Sequence, residues 1–489
     1  MDIRCQNLIG GRFVDGASTT DNLCPADTEL HLGTAPDSGR EEAEAAVAAA
    51  KEAQPAWAAT PAPTRGVALF RLVGLLERDA DELAEILSLE EGKILPEAKG
   101  EVMKTIRYVT YAAGDCRRMT GLTSECEAPG ALAMTLWRPL GVIGLITPWN
   151  FPVCIPLWKI APAIASGNAV VLKPAPETPA TAHKIAQLCQ EAGIPDGIVN
   201  VVHGDADPAM ALIEHPDVAA ISFTGSTSVG LQIEGRCGAL HKRIQCEMGG
   251  KNPLIVLDDA DVATAAAACA KGAFGSTGQR CTATSRAIVM HEVADDFVSA
   301  VVEAAGSMKA GHPLDPATTM GPSVSERQLA QVLRYMGVGR EEAELRCGGT
   351  RLQDGDLSRG YFPCPTVFDH VEASARIATE EIFGPVLSVI RVGSPQEAIE
   401  AANSVDFGLT GSVFTSDLSR AFQVIQHLDT GMNHVNNPTI GGEAHMPFGG
   451  IKNTGVGPRE MGPDAWKFYA EEKTIYINHA GGARKGNLY

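Results

Sequence analysis

Cys281 and Glu247 are the residues whose types and setting could do chemistry. Cys281 closes Ser276-Thr277-Gly278-Gln279-Arg280-Cys281, and Glu247 opens Glu247-Met248-Gly249-Gly250-Lys251-Asn252-Pro253, 34 residues upstream. A thiolate can hold a carbonyl carbon covalently, and a carboxylate can then deliver water to the resulting thioester. A free cysteine is usually a small apolar filler, but the polar, glycine-containing run around Cys281 does not suit a core position. A nearby cation favours the thiolate, which makes Arg280 a candidate for depressing its pKa. Taken alone, Glu247 reads as a surface glutamate at the end of a strand over 243–246. The glycine pair behind it lets the chain turn sharply and carry the carboxylate into a cleft.

Three further runs sit where strands end. Asn150, in Thr147-Pro148-Trp149-Asn150-Phe151-Pro152, follows an apolar strand over 141–146, and its amide could donate to a developing oxyanion or serve an Asx turn. Phe223-Thr224-Gly225-Ser226 joins a strand to a helix, where free amides suit a pyrophosphate or form a plain helix cap. It is neither a Gly-x-Gly-x-x-Gly fingerprint nor a Walker loop. Lys173 closes a strand before Pro174 and could reach a ribose or phosphate, or remain a solvated strand end.

The elements that must position these residues follow from periodicity. Residues 40–118 carry helical spacing, as in Leu69, Leu72, Val73 and Leu76, then Leu83, Ile86 and Leu87. Strands over 169–172, 199–202 and 219–223 alternate with helices over 180–192 and 209–215, a rhythm that predicts a parallel sheet wrapped by helices. The apolar run 160–172 reads as a buried loop and strand. A second series follows residue 252, with a strand at 254–257, a helix at 262–274 and a strand at 287–290, placing a domain boundary near 249–253. Alternation over 131–137 and 468–478 predicts two exposed strands, the second of a kind that pairs with a neighbouring subunit.

Net charge is −19, from 40 basic and 59 acidic side chains, a poor match for nucleic acid. No run approaches the roughly 18 apolar residues of a membrane span, and the first 15 residues lack a secretory pattern, so a cytoplasmic location is expected. The 12 cysteines form no Cys-x-x-Cys pair, which predicts reduced thiols and no metal site.

Taken in order, Pro148-Trp149-Asn150-Phe151-Pro152, Leu172-Lys173-Pro174, Phe223-Thr224-Gly225-Ser226, Glu247-Met248-Gly249-Gly250-Lys251, Gly278-Gln279-Arg280-Cys281, Glu381-Ile382-Phe383-Gly384-Pro385 and Pro447-Phe448-Gly449-Gly450 resemble the aldehyde dehydrogenase superfamily nearly end to end. The resemblance implies an α/β fold. It has a Rossmann-like parallel-sheet cofactor domain (1–120 and 139–249), an α/β catalytic domain (250–449) and a small β oligomerisation arm (121–138 and 465–489). It implies Cys281 as nucleophile, Glu247 as base for deacylation, and Asn150 with the Cys281 amide as oxyanion hole. Ile146, Thr147, Trp149, Lys173, Gly225, Ser226, Glu381 and Phe383 would line the dinucleotide, and Phe151, Trp158 and Phe448 the aldehyde. In that scheme the thiolate adds to the aldehyde, hydride passes to a nicotinamide, and Glu247 directs water onto the thioester. The glutamate argues against acyl transfer to coenzyme A. A homodimer or homotetramer is expected.

Pro176 stands where many NAD-preferring relatives carry a ribose-gripping glutamate, which predicts acceptance of NADP, alone or alongside NAD; Glu177 could compensate in part. The runs around Cys281 and 445–450 look most like 2-oxoglutarate semialdehyde dehydrogenases. Trp158 and Gly275 occupy positions where succinic semialdehyde enzymes place arginines, leaving Arg280 and His445 as candidates for an acidic tail. A sulfonated or aromatic aldehyde, a thiol hydrolase without a nicotinamide, and a non-catalytic member of the same fold are the competing readings.

Overall fold

A computed structural model describes residues 2–479. The alanine- and leucine-rich stretch forms four helices, α1 (Arg40–Ala59), α2 (Ala62–Arg78), α3 (Ala80–Glu91) and α4 (Leu95–Asp115). Their apolar stripes sink Leu69, Leu72, Leu76, Leu83 and Leu87 into one core, each worth about 2 kcal/mol of burial. Gly92 ends α3 at φ +92°, where a Cβ would meet Pro322 at 2.6 Å, so glycine serves both the turn and the close approach.

Strands and helices then alternate: Val142–Ile146, α5 (Cys154–Ala165), Ala169–Lys173, α6 (Pro179–Glu191), Val199–Val201, α7 (Ala206–Glu214), Val218–Thr224, α8 (Thr227–Ala239) and Arg243–Glu247. The five strands pair in parallel, with Val142–Ile146 between Val218–Thr224 and Ala169–Lys173. Short antiparallel strands complete eight: Gly455–Val456 at one edge, Asn7–Ile9 and Arg12–Val14 at the other. Chain order reverses direction at Val142–Ile146, so the carboxyl ends of its neighbours open a crevice for a ligand.

The stretch 160–172 departs from expectation. It continues helix α5 to Ala165 before the strand begins at Ala169. All of α5 except Trp158 is buried, and an element that is apolar on every face has no periodicity to betray it.

A second sheet of seven strands has the order Glu344–Cys347, Thr366–Asp369, Val386–Val392, Thr284–Met290, Asn252–Val256, Thr410–Phe414 and Met432–Val435. Only Glu344–Cys347 runs antiparallel. Helix α9 (Val262–Phe274), capped by Asp261 accepting from the Thr264 amide, packs Ala273 and Phe274 against its apolar layer.

The strand Ala470–Asn478 pairs antiparallel along its whole length with Ala131–Pro139 of the same chain, which in turn pairs with Thr123–Glu125. One edge of this strand is thus taken within the chain, and its outer edge, the one that the expected pairing with a neighbouring subunit would use, is unpaired among the described residues. The expected arm residues 480–489 lie outside the described residues. No described helix is long and apolar enough to cross a membrane.

Candidate active site

Glu247 is the last residue of its strand, paired with Thr224 at the carboxyl edge of the first sheet. One carboxylate oxygen accepts from the Gly450 amide at 3.2 Å; the other is buried without a partner. Burial, then the charge of Glu460, pushes its pKa up to about 8. Glu460 is ion-paired to the Lys159 ammonium, which donates to Ser222 Oγ at 2.8 Å. Sequence reasoning missed this chain, although a lysine inside the otherwise apolar α5 was its signal: a charge so placed must be paired.

Cys281 follows a backbone run held in an uncommon conformation, with Ser276, Thr277 and Gly278 at φ +50°, +57° and +68°. Left-handed geometry at two non-glycine residues costs of order 1–3 kcal/mol each, so the surroundings must fix it. Glu97 accepts from the Ser276 amide at 2.9 Å, Thr277 Oγ1 donates to Gly321 O at 2.9 Å, and Gln279 Oε1 accepts from the Val324 amide at 3.0 Å. A Cβ on Gly278 would meet Gly384 O at 2.3 Å, so this loop and the 381–385 loop touch through glycines. Asn252 Nδ2 donates to the carbonyls of Cys281 and Ala283, each at 2.8 Å. Asn150 Nδ2 donates to Gln279 O at 3.1 Å, while Lys93, salt-bridged to Glu101 at 2.7 Å, donates to the Asn150 carbonyl at 2.7 Å. The Asn150 amide is thus held beside the cysteine loop rather than used in a local turn.

The half-buried Cys281 has its thiol pushed up to about 12, first by desolvation and then by the charges of Glu247 and Glu381, with the Thr282 and Cys281 backbone amides opposing. Arg280 does not play its expected part. Its guanidinium is committed to Glu97 at 2.9 Å and to Ser276 Oγ at 2.8 Å. It fastens the loop, so the geometry provides neither a cation on the thiol nor a free charge for a substrate tail.

The crevice at the sheet's carboxyl edge gathers the other residues. Thr147 follows Ile146, donates its amide to Lys173 O at 3.2 Å, and has a buried hydroxyl without a partner. Lys173 is buried, and desolvation lowers its pKa to about 8 despite Glu177 and Asp205. Gly225 precedes Ser226, the N-cap of α8, whose side chain makes no cap bond. Glu381 accepts from the Gly250 amide at 2.9 Å, and burial raises its pKa to about 7; a Cβ on Gly249 would meet its carboxylate at 2.3 Å. Phe383, at φ +58°, stands edge-on to Trp149 with ring centroids 5.4 Å apart. The buried hydroxyl of Thr224 also lacks a partner. An open helix start, a desolvated amine, a carboxylate, an aromatic pair and orphaned hydroxyls in one crevice fit a dinucleotide.

On the opposite side of Cys281, Phe151, Trp158 and Phe448 join Tyr108, Leu409 and Met461 in an apolar cluster that includes Cys281 itself. Tyr108 stands edge-on to Trp158 at 5.8 Å, and Trp158 lies 5.5 Å from Phe448. His445 is exposed, next to Ala444 at the rim of this cluster.

The model of the aldehyde dehydrogenase family matches residues 13–475. This chain belongs to that family. It is 42% identical over 477 residues to the alpha-ketoglutaric semialdehyde dehydrogenase of Bacillus subtilis, covering 96% of this chain and 97% of that one. Among solved structures it resembles an NAD-dependent aldehyde dehydrogenase from Sinorhizobium meliloti, with TM-score 0.95, 37% identity and coverage of 99% and 96%. It also resembles an NADP-dependent enzyme from E. coli, with TM-score 0.93, 36% identity and coverage of 97% and 98%. The α/β fold expected of the family is the fold observed.

Proposed function

We propose that this aldehyde dehydrogenase oxidises a short acidic semialdehyde to the free acid, using NADP or NAD, through a thioester on Cys281. The observation that carries the reading is the convergence on one sulfur of an aromatic pocket, a fixed amide and a carboxylate with a free buried oxygen. Cys281 Sγ adds to the aldehyde carbon as its proton passes to a neighbouring carboxylate, and the new oxyanion takes hydrogen bonds from Asn150 Nδ2 and the Cys281 amide. Loss of the aldehyde hydrogen as hydride, to a nicotinamide that Trp149, Phe383, Glu381, Lys173 and the start of α8 would hold, would let C=O reform and convert this adduct to the thioester. Glu247 then removes a proton from water attacking the thioester, and the acid leaves as the thiol is restored.

Pro176 is exposed and Glu177 lies 3.9 Å from Arg327, so no carboxylate at 176 opposes a 2′-phosphate. The unpaired edge of Ala470–Asn478, with Tyr476 and Ile477 exposed, favours a homodimer or homotetramer. An acidic tail is favoured by the Bacillus relative's substrate and by the His445 rim. The test is an aldehyde panel including 2-oxoglutarate semialdehyde, succinic semialdehyde and aromatic members, run with each coenzyme. Reduced coenzyme and free acid should appear in equal amounts without coenzyme A, and Cys281→Ala should yield neither. Acid formed only when coenzyme A is supplied would refute the hydrolytic route.

A further inference from the structure

A pocket that takes an acidic tail needs an uncommitted cation, and the cations around Cys281 are mostly engaged. Arg280 holds Glu97, Lys93 holds Glu101, and Lys159 holds Glu460. Arg459 lies against the Gly449 backbone on the side of Glu247. Lys251 has a buried ammonium without a hydrogen-bond partner, but the charges that act on it are those of Arg286, Glu381 and Glu380, on the side given to the dinucleotide. Lys104 is different. It sits one turn before Tyr108 on α4, half-buried, with its ammonium 5.9 Å from the Tyr108 ring centroid. Among the described residues no carboxylate lies within ion-pair distance of it. Its charge also reaches Cys154, a member of the cluster that contains Cys281.

The wall beside it carries a second unmet need. Trp158, edge-on to Tyr108, has an indole N–H that is buried without an acceptor. An unpaired buried donor costs about 1–3 kcal/mol, and a positive charge over an aromatic face is only partly compensated. A carboxylate arriving at this wall supplies an acceptor to the indole and a counter-charge to the ammonium. The exposed Glu443 acts on Tyr108 from the loop that carries His445, so like charge is present at the rim while Lys104 offers the attraction.

We infer that Lys104 determines specificity for acidic aldehydes by binding the tail carboxylate, with the Trp158 indole as second donor. This rests on the proposed function, and the two can fail separately. The measurement is kcat/KM for succinic semialdehyde and 2-oxoglutarate semialdehyde relative to hexanal in wild type, Lys104→Ala, Lys104→Arg and Lys104→Glu. In Lys104→Ala the acidic-to-neutral ratio should fall about tenfold, as for loss of about 1.4 kcal/mol, with the change in KM rather than kcat. Lys104→Arg should keep most of the ratio and Lys104→Glu should lower it further. Rising salt should weaken binding of the acidic aldehydes to wild type and not to Lys104→Ala. Hexanal measured on the same protein controls for folding. An unchanged ratio in Lys104→Ala and Lys104→Glu, or a ratio that responds to Arg459→Ala instead, overturns the inference. Wild-type protein that oxidises no aldehyde would sink the proposed function itself.

Discussion

Glu247 can take a proton from water only as a carboxylate, so thioester hydrolysis should climb with pH and level off above its pKa of about 8. Glu460 holds that value up, while Lys159 pulls it down. The two neighbours therefore predict shifts of opposite sign. Glu460→Gln removes the like charge and moves the rising limb to lower pH; Lys159→Met removes the opposing charge and moves it higher. Two unit charges roughly 8 Å apart at an effective dielectric of about 20 interact by ~2 kcal/mol, which is about 1.5 pH units. Each single variant strands a buried partner, at a cost of ~3–5 kcal/mol. The double variant, Lys159→Met with Glu460→Gln, removes both charges, should recover much of that stability and should place the limb between the two. The assay is single-turnover hydrolysis of the acyl-enzyme across the neutral and alkaline range. Limbs that coincide in all three variants, or that move in the same direction, would refute the coupling.

Three other outcomes follow from the same geometry. Glu247 has a folded pKa of about 8 against an unfolded value near 4.5. Its contribution to stability is thus complete below about pH 4.5 and lost as pH rises through 8. Glu247→Gln should flatten that decline, so thermal melts at alkaline pH should favour the variant, and parallel wild-type and variant profiles would count against it. Pro176→Glu should lower kcat/KM with NADP by about tenfold while sparing NAD, since a carboxylate would face the 2′-phosphate at a cost of about 1.4 kcal/mol; an unchanged coenzyme ratio contradicts the assignment. Glu97→Ala releases the Ser276 amide and the Arg280 guanidinium together. It should cut turnover at least tenfold, given about 1.5–3 kcal/mol for a hydrogen bond to a charged group. The loss should appear as slower alkylation of Cys281, and a wild-type alkylation rate would show that the strained loop holds itself.

What the sequence made legible were residues that end elements. Glu247, Lys173 and Gly225 sit where strands stop, and chemistry there leaves a polar residue or a glycine interrupting an apolar run, which reads without coordinates. The helix over 262–274 was readable for the related reason that its alanine-rich run carries helix preference locally. Residues whose partners come from distant segments were not. Arg280 is adjacent to Cys281 in sequence, and that adjacency suggested electrostatic activation. Its actual partner Glu97 is 183 positions away, and the pairing turns it into a fastener. The buried Lys159–Glu460 pair spans 301 positions.

The distinction has a physical basis. A strand-end residue is positioned by the ladder behind it, whose register is set by a two-residue alternation or by a continuous apolar run. A buried ionised group is positioned by whatever opposite charge compensates its desolvation, and that group can come from any part of the chain. The sequence does keep a trace of the demand. Among the residues of α5, Lys159 is the one charged side chain, and burying it without a counter-charge would cost more than the helix gains from several of its apolar neighbours. Such a lysine announces that a carboxylate must exist without saying where. In this chain the carboxylate is Glu460, which couples the packing of α5 to the proton affinity of Glu247 and thereby, on the proposed mechanism, ties the core of the first sheet to hydrolysis.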